Sequence, residues 1–454
     1  MTRAPVLPPG PAMAPPLQTA IWFRRAQWMQ AQCAARFGDT FTLRLLHEDP
    51  WVILSDPEHV KQVFTGDPRI FHAGEGNRIL LPVLGAHSLL LLDEDEHMRQ
   101  RKLLLPPFHG ARMQSYEALM RRVAAAEIDT WPRGEPYRLR PRMQALTLEI
   151  ILRAVFGLTE GERIERLRCE LRSLLDVLSN PRTILLPILM GPERLARFGP
   201  FRRFLGRVDR LLYDEIAERR ESSDLDERGD IMSLLLQARD GDSGEPMSAV
   251  ELRDELLTLL AAGHETTATA LSWAVERLAR HPDKLDRLRS EVAAGGTAYL
   301  DAVVTETLRL RPVISLVARR LTEPVQIGDW RLPAGVTVAP SIYLVHRRPD
   351  VYPNPESFEP ERFLDKGEPD DTGAAQTGQA GGRAGGKPGT YTWIPFGGGV
   401  RRCLGGAFAQ FEMGVVLSEL VRRWDIEPVQ PASEPVLRRA ITETPRHDAE
   451  VVLA

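Results

Sequence analysis

Phe396-Gly397-Gly398-Gly399-Val400-Arg401-Arg402-Cys403-Leu404-Gly405 is the stretch on which the reading of this chain turns. A glycine-rich loop delivers a cysteine straight into a helix-forming run, Ala407 to Arg422. Two neighbouring arginines and a helix N-terminus each favour a thiolate at Cys403. The glycines let backbone approach a large planar ligand and aim amide N–H groups at the sulfur, and Phe396 could cover the loop side of that ligand. The simpler alternative is a buried cysteine after a β-turn. A zinc site has little support, because no second Cys or His lies near in sequence. Cys33 and Cys169 stand in helical, charge-rich contexts and read as incidental.

Upstream, Ser248 followed by Glu251 is a capping-box signature at the head of a long periodic run. The run continues to about Arg280, where His281-Pro282 stops it. A helix of that length spans roughly 48 Å, enough to cross a whole molecule. Its middle reads Ala261-Ala262-Gly263-His264-Glu265-Thr266-Thr267. Ala and Gly leave a face with little bulk, where something flat could approach. The two threonines can bond carbonyls one turn back and loosen the helix. Close helix–helix packing with a polar edge explains the same residues. His264 has no second ligand at i+4 and does not read as a metal ligand.

The chain has 454 residues, 43% hydrophobic and 26% charged, with a formal net charge of -4. That is a globular composition, without the basic surplus of a nucleic-acid binder. Lysine occurs five times, and arginine supplies the rest of the 58 basic residues, a skew that fits a GC-rich bacterial genome. Three cysteines exclude a disulfide scaffold and fit a reducing compartment. No apolar run approaches the roughly 18 residues of a membrane span. Prolines at 5, 8, 9, 11, 15 and 16 break up any signal-peptide core. The expected location is the cytoplasm.

The expected organisation is a proline-rich lead-in with a first helix over 1–40, around Ile21 to Phe37, then one catalytic domain over 41–454. Strand-like runs lie at Phe41 to Leu46, Trp51 to Leu54 and Val325 to Ala339. Residues Glu96 to Val292 read as overwhelmingly helical. Asp365 to Thr390 holds eight glycines and no Val, Leu, Ile, Met or aromatic residue. It reads as a flexible surface insertion or, alternatively, a partner-docking loop.

The cysteine loop resembles the heme-binding loop of cytochrome P450, meeting every fixed position of Phe-x-x-Gly-x-Arg-x-Cys-x-Gly. Ala262 to Thr267 resembles that family's Ala/Gly-Gly-x-Asp/Glu-Thr-Thr/Ser segment. Glu306-Thr307-Leu308-Arg309 resembles its Glu-x-x-Arg motif, with Arg362 in Pro360-Glu361-Arg362-Phe363 as the third partner. The likeness runs from about Phe41 to Val452 and departs at the insertion. Arg101 to Gly110 further resembles bacterial members acting on fatty acids and terpenoids.

The resemblance implies a mainly α fold with a small β-rich lobe and a long central helix over heme b, iron protoporphyrin IX. Cys403 would be the iron ligand, pushing electron density toward O–O cleavage. Glu265 and Thr266 would be the acid–alcohol pair over the oxygen-binding face. His97, Arg101, Arg319 and Arg401 would clamp the propionates. Cofactor contacts are implied at Ala262, Gly263, Pro395, Phe396, Gly397 and Gly405. Glu306, Arg309 and Arg362 would scaffold the loop.

The implied reaction is monooxygenation with O2 as co-substrate. After the loop about fifty residues remain, too few for a reductase domain, so NAD(P)H electrons would arrive through separate ferredoxin and ferredoxin reductase partners or a flavodoxin-type donor. A monomer is expected. A peroxide-using or isomerising heme-thiolate protein and a non-catalytic heme binder are the rivals; an intact acid–alcohol pair argues against both. The expected pocket is apolar, with Leu89, Leu90, Leu259, Val313 and Leu316 in its walls and Ser179 to Pro200 as a mobile lid. Glu75 and Arg78 could receive a polar substrate end.

Overall fold

A computed structural model of the chain describes residues 6–108, 110–157, 162–179, 190–364 and 389–454. The expected insertion, apart from Gly389 and Thr390, and residues 180–189 of the expected lid lie outside the described residues.

The central helix runs unbroken over Ala249–Ala279. Its capping box is complete: Glu251 N–H donates to Ser248 Oγ at 3.2 Å, and Ser248 N–H to Glu251 Oε2 at 2.7 Å. From Thr267 to Ala279 every side chain is buried, as a helix crossing a core requires. It lies along the helix Leu139–Phe156, where Thr147 Oγ1 donates to His264 O at 3.1 Å. Gly263 permits this approach, since a Cβ there would stand 3.2 Å from Ile151 Cδ1. Small residues at this point thus serve helix packing, and the threonines do not interrupt the helix. The helices Ala298–Leu310 and Gly406–Arg423 pack against it too.

The β-rich lobe is a five-stranded mixed sheet, ordered Thr40–Leu43, Trp51–Leu54, Thr337–Pro340, Arg319–Leu321 and Phe71–His72. Only the pairing of Trp51–Leu54 with Thr337–Pro340 is parallel. The Val325 to Ala339 stretch divides: Val325–Ile327 and Trp330–Leu332 form their own hairpin around Gly328, whose φ is 51°. The N-terminal helix starts at Pro15 rather than Ile21, because proline is tolerated in a first turn whose N–H groups have no intrahelical partner.

Glu306 and Arg309, both fully buried, tie the helical and cysteine-bearing parts together. Arg309 Nε and Nη2 donate to the Glu306 carboxylate at 2.6 and 2.8 Å, and Arg362 Nε adds a third bond at 3.2 Å. The remaining Arg309 protons go to the carbonyls of His346, Pro355 and Ser357. His346 carries the link onward: its Nδ1 donates to Arg309 O at 3.2 Å, and its Nε2 accepts Ile394 N–H at 2.8 Å, two residues before Phe396. Burial holds this imidazole neutral, as that bonding pattern requires. His346→Leu should cost roughly 1–3 kcal/mol for each of the two polar groups left unpaired. A urea midpoint equal to wild type would show that the link carries no stability.

Candidate functional site

The cysteine loop is shaped by what lies under it. Gly397 and Gly399 adopt left-handed φ of 66° and 64°. A Cβ on Gly398 would meet Phe64 Cδ2 at 2.3 Å, and one on Gly399 would meet Phe64 O at 1.9 Å. These two glycines therefore let the loop lie on the helix Pro57–Thr65. Cys403 N–H donates to Phe396 O at 2.9 Å and closes the loop. Phe396 packs over Gly406, edge-on to Trp393 at 6.1 Å between ring centroids.

Cys403 sits deep among protein atoms, yet its side chain keeps accessible surface. Burial pushes its thiol pKa up, against the lowering by the Gly405 N–H, Arg101 and Arg402. The helix N-terminus and Arg402 favour the thiolate, in the direction the sequence suggested, and desolvation outweighs them. One of the two expected arginines also faces elsewhere. Arg401 Nη2 bonds Asp93 Oδ1 at 2.6 Å, whereas Arg101 Nη2 donates to Arg402 O at 2.8 Å.

His97 and Arg101, on the helix Glu94–Leu104, meet Arg319 and Arg401 in one cluster, with His97 and Arg319 buried and Arg101 and Arg401 half-buried. Burial, then the charges of Arg401, Arg101 and Arg319, push His97 down to about 3. Burial pushes Arg319 and Arg401 down to about 10. The carboxylate acting on both is that of Asp93, which also accepts from the N–H groups of Ala73, Gly74 and Glu75. Three guanidinium charges against one carboxylate leave the cluster short of about two negative charges, a costly state for buried cations.

On the central helix, Ala262 is exposed and Leu259 and Thr266 are half-buried, so one face stays accessible at spacings of three and four. Thr266 Oγ1 donates to Ala262 O at 2.5 Å. Glu265 is held by Gln144 Nε2 at 2.6 Å and Arg140 Nη1 at 3.3 Å. Arg140 Nε in turn meets Asp448 Oδ1 at 2.6 Å, which Arg439 Nη2 reaches at 3.0 Å. Burial raises the Glu265 pKa, although Arg140 and Gln144 oppose the shift.

Leu89 and Val313 belong to the main core, with Leu90 and Leu259 packed against it. Leu316 packs instead with Trp22, Met29 and Phe41 under the N-terminal helix. Glu75 and Arg78 are already engaged, with Arg320 and Glu193 respectively. The strand pair Val436–Arg439 and Thr442–Pro445 also approaches this region: Glu443 N–H donates to Val313 O at 2.8 Å. Nothing in the local sequence flagged that hairpin.

Residues 8–448 match the family model described as Cytochrome P450. Cytochrome P450 135B1 of Mycobacterium tuberculosis is 41% identical over 98% of this chain and 91% of that relative. Cytochrome P450 135A1 of the same species is 41% identical over 98% of this chain and 95% of its own length. Among solved structures, the retinoic acid-bound cyanobacterial CYP120A1 superposes with a TM-score of 0.83 at 26% identity, covering 99% of this chain and all of that one. The P450DA heme domain superposes with a TM-score of 0.80 at 22% identity, covering 100% of this chain and 98% of that one. This chain belongs to the cytochrome P450 family, and it is a heme monooxygenase.

The residues present fit a heme. A macrocycle with two propionates supplies the two negative charges that the Arg101, Arg319 and Arg401 cluster lacks, and a cation at sulfur supplies what Cys403 lacks. Sequence reading missed Asp93, His346, Arg140, Gln144 and Asp448. Asp93 stood in view at the head of a helix; the Arg140–Asp448 pair is 308 residues apart and left no local signal.

The depressed His97 pKa gives a pH test on protein without heme. The unfolded chain takes a proton on this residue below pH 6.5, whereas the folded chain refuses it until about 3. Stability from this residue is therefore full above 6.5 and is lost as pH falls toward 3. The urea midpoint of the apoprotein should fall more steeply between pH 7 and 5 than that of His97→Gln, and heme should shrink the gap. Equal slopes would reject a buried, cation-surrounded His97.

Proposed function

We propose that the chain inserts one atom of O2 into a C–H or C=C bond of an apolar substrate of the fatty acid, terpenoid, steroid or other natural-product type. The second atom leaves as water. Two electrons come from NAD(P)H through separate ferredoxin and ferredoxin reductase, or a flavodoxin-type donor. The retinoic acid named for the cyanobacterial relative is a long apolar isoprenoid acid, which supports that substrate class. The protein is proposed to act as a cytoplasmic monomer with one catalytic domain over 41–454.

Cys403 is the proposed ligand to iron, and heme, when bound, supplies the oxygen-activating chemistry. Burial favours the protonated thiol, and a metal cation at sulfur would favour the thiolate instead. The Gly405 N–H, Arg101 and Arg402 add to that stabilisation. His97, Arg101, Arg319 and Arg401 are the proposed propionate partners, with Asp93 fixing the Arg401 guanidinium. Ala262, Gly263, Pro395, Phe396, Gly397 and Gly405 are the proposed remaining cofactor contacts.

The observation that carries monooxygenation over peroxide use or passive heme binding is the Glu265–Thr266 pair. Thr266 holds its hydroxyl on the accessible helix face, where it can orient a water. Glu265 lies next in sequence with its pKa raised, so it can take a proton and give it up again. Its bonds to Gln144 and Arg140 hold the carboxylate in place; release from them would free it to carry a proton. A protein using peroxide receives its protons and electrons with that reagent and needs no such pair.

Reduced protein with carbon monoxide should show the red-shifted Soret band of thiolate ligation, and Cys403→His should lose it. Retention of that band in Cys403→Ala would rule out this ligand. Thr266→Ala should keep substrate binding and NAD(P)H consumption but divert electrons to hydrogen peroxide. Glu265→Gln should slow turnover by about 10²-fold with a changed solvent isotope effect. Wild-type coupling in Thr266→Ala would end the proposed proton path. Turnover with peroxide alone, at rates equal to those with NAD(P)H and partners, would favour the peroxide-using reading.

A further inference from the structure

Asp448 and Ala449 both take left-handed backbone, with φ of 63° and 55°, although neither is glycine. Two such residues in a row are uncommon and persist only where the surroundings fix them. Here the fixing comes from both sides of the turn. Arg140 N–H donates to Asp448 O at 2.9 Å and Leu139 N–H to Ala449 O at 3.3 Å, from the start of the helix Leu139–Phe156. The buried Glu434 carboxylate brackets the turn, accepting His447 N–H at 2.7 Å and Glu450 N–H at 3.0 Å. Asp448 N–H closes it on Pro445 O at 3.2 Å. A turn held this way fixes the place of one acidic side chain, that of Asp448.

Its carboxylate meets two cations at a single oxygen. Arg140 Nε lies 2.6 Å from Asp448 Oδ1, and Arg439 Nη2 lies 3.0 Å from it. Arg140 also reaches Glu265 Oε1 with Nη1, at a longer 3.3 Å. Gln144 Nε2 and Thr269 Oγ1 bond that same carboxyl at 2.6 and 3.5 Å, and Arg439 acts on it through its charge. Two guanidinium groups thus face two acids, and the set is neutral when both acids are ionised. Arg138, which acts on Arg439, is paired with Glu450 at 3.5 Å. Burial, with the charges of Arg140 and Arg172, pushes His264 down to about 4 and keeps it neutral. Arg140 is therefore divided between Asp448 and Glu265, and its shorter bond is to Asp448.

We propose that Asp448 is a positioning residue for Glu265: by holding Arg140 on its own carboxylate, it keeps that cation from closing fully on the Glu265 carboxyl. Two acids on one guanidinium divide its charge, and loss of either gives the whole cation to the other. A carboxyl that shares its cation takes up a proton more readily and parts from its bonds more readily. Asp448 thereby sets how often Glu265 is protonated and free to move. The consequence for turnover rests on Glu265 being the proton carrier; the division of Arg140 between the two acids does not.

Asp448→Asn keeps the side chain's size and its tolerance of left-handed backbone, and removes the charge. Both arginines then turn to Glu265, whose carboxyl should protonate at a pH lower by about one unit, a tenfold fall in its protonated fraction. Arg140→Gln or Arg439→Gln takes a cation away and should move that midpoint up instead. The readout is the infrared carbonyl band of heme-loaded protein carrying isotope-labelled glutamate, each variant measured against itself with Glu265→Gln added. Water entering a loosened site would lower the midpoint in all three variants, so opposite signs separate positioning from a merely structural role. An unchanged carbon monoxide spectrum reports an intact fold in each. Turnover of Asp448→Asn with NAD(P)H and redox partners should fall by up to about tenfold, with a larger solvent isotope effect. Wild-type turnover in Glu265→Gln would end the proton-carrier reading and leave the midpoints to decide on Asp448. A midpoint in Asp448→Asn that is unchanged or raised, or one that falls in all three variants, would overturn the proposal.

Discussion

One carboxylate, that of Glu306, holds the charge of the buried Arg309 and shares that of the half-buried Arg362, and the architecture around the cysteine depends on it. A guanidinium taken from water without a partner is strongly destabilising, and breaking a buried pair typically costs about 3–5 kcal/mol. Arg309 and Arg362 therefore stay where Glu306 is, and Arg309 spends its remaining protons on carbonyls at 346, 355 and 357. That fixes the path of the chain between the helix Ala298–Leu310 and the loop. His346, bonded to Arg309 O and to Ile394 N–H, extends the constraint to the residue just before Pro395. The position of Cys403 follows from this rigid platform.

The same electrostatic logic, inverted, defines the cofactor side. There the fold gathers cations without balancing them: Asp93 acts on Arg319 and Arg401, Arg101 makes no ion pair among the described residues, and His97 is driven neutral by burial among them. Burial also works against ionisation of Cys403. Each of these features is unfavourable for the polypeptide alone and favourable for a dianionic macrocycle carrying a cation. Stability lost at the site is returned when such a ligand binds, which is the thermodynamic linkage expected of a tightly held prosthetic group.

Asp93 couples the two regions. Its carboxylate receives Arg401 and three N–H groups of the Ala73–Glu75 segment, so the cation cluster and that segment are held by one side chain. On the other side of the central helix, Glu265 is anchored through Arg140 to Asp448 near the end of the chain.

Local sequence determined what local physics controls. The capping box at Ser248 and Glu251, the helix-ending His281-Pro282, the strand Trp51–Leu54 and the cysteine loop were all legible, because each depends on residues within one or two turns of one another. The family resemblance added the His97, Arg101, Arg319 and Arg401 set, which the fold brings together. Tertiary structure alone decided the rest. Gly398 and Gly399 lie against Phe64, more than 300 residues away, and Gly263 against Ile151, contacts that no local pattern names. The balance at Cys403 also escaped the sequence, since helix ends and arginines are visible there but desolvation is not. Leu316 left the expected pocket wall for the N-terminal helix because burial is set by what packs against a side chain, and periodicity carries no record of a partner from another part of the chain.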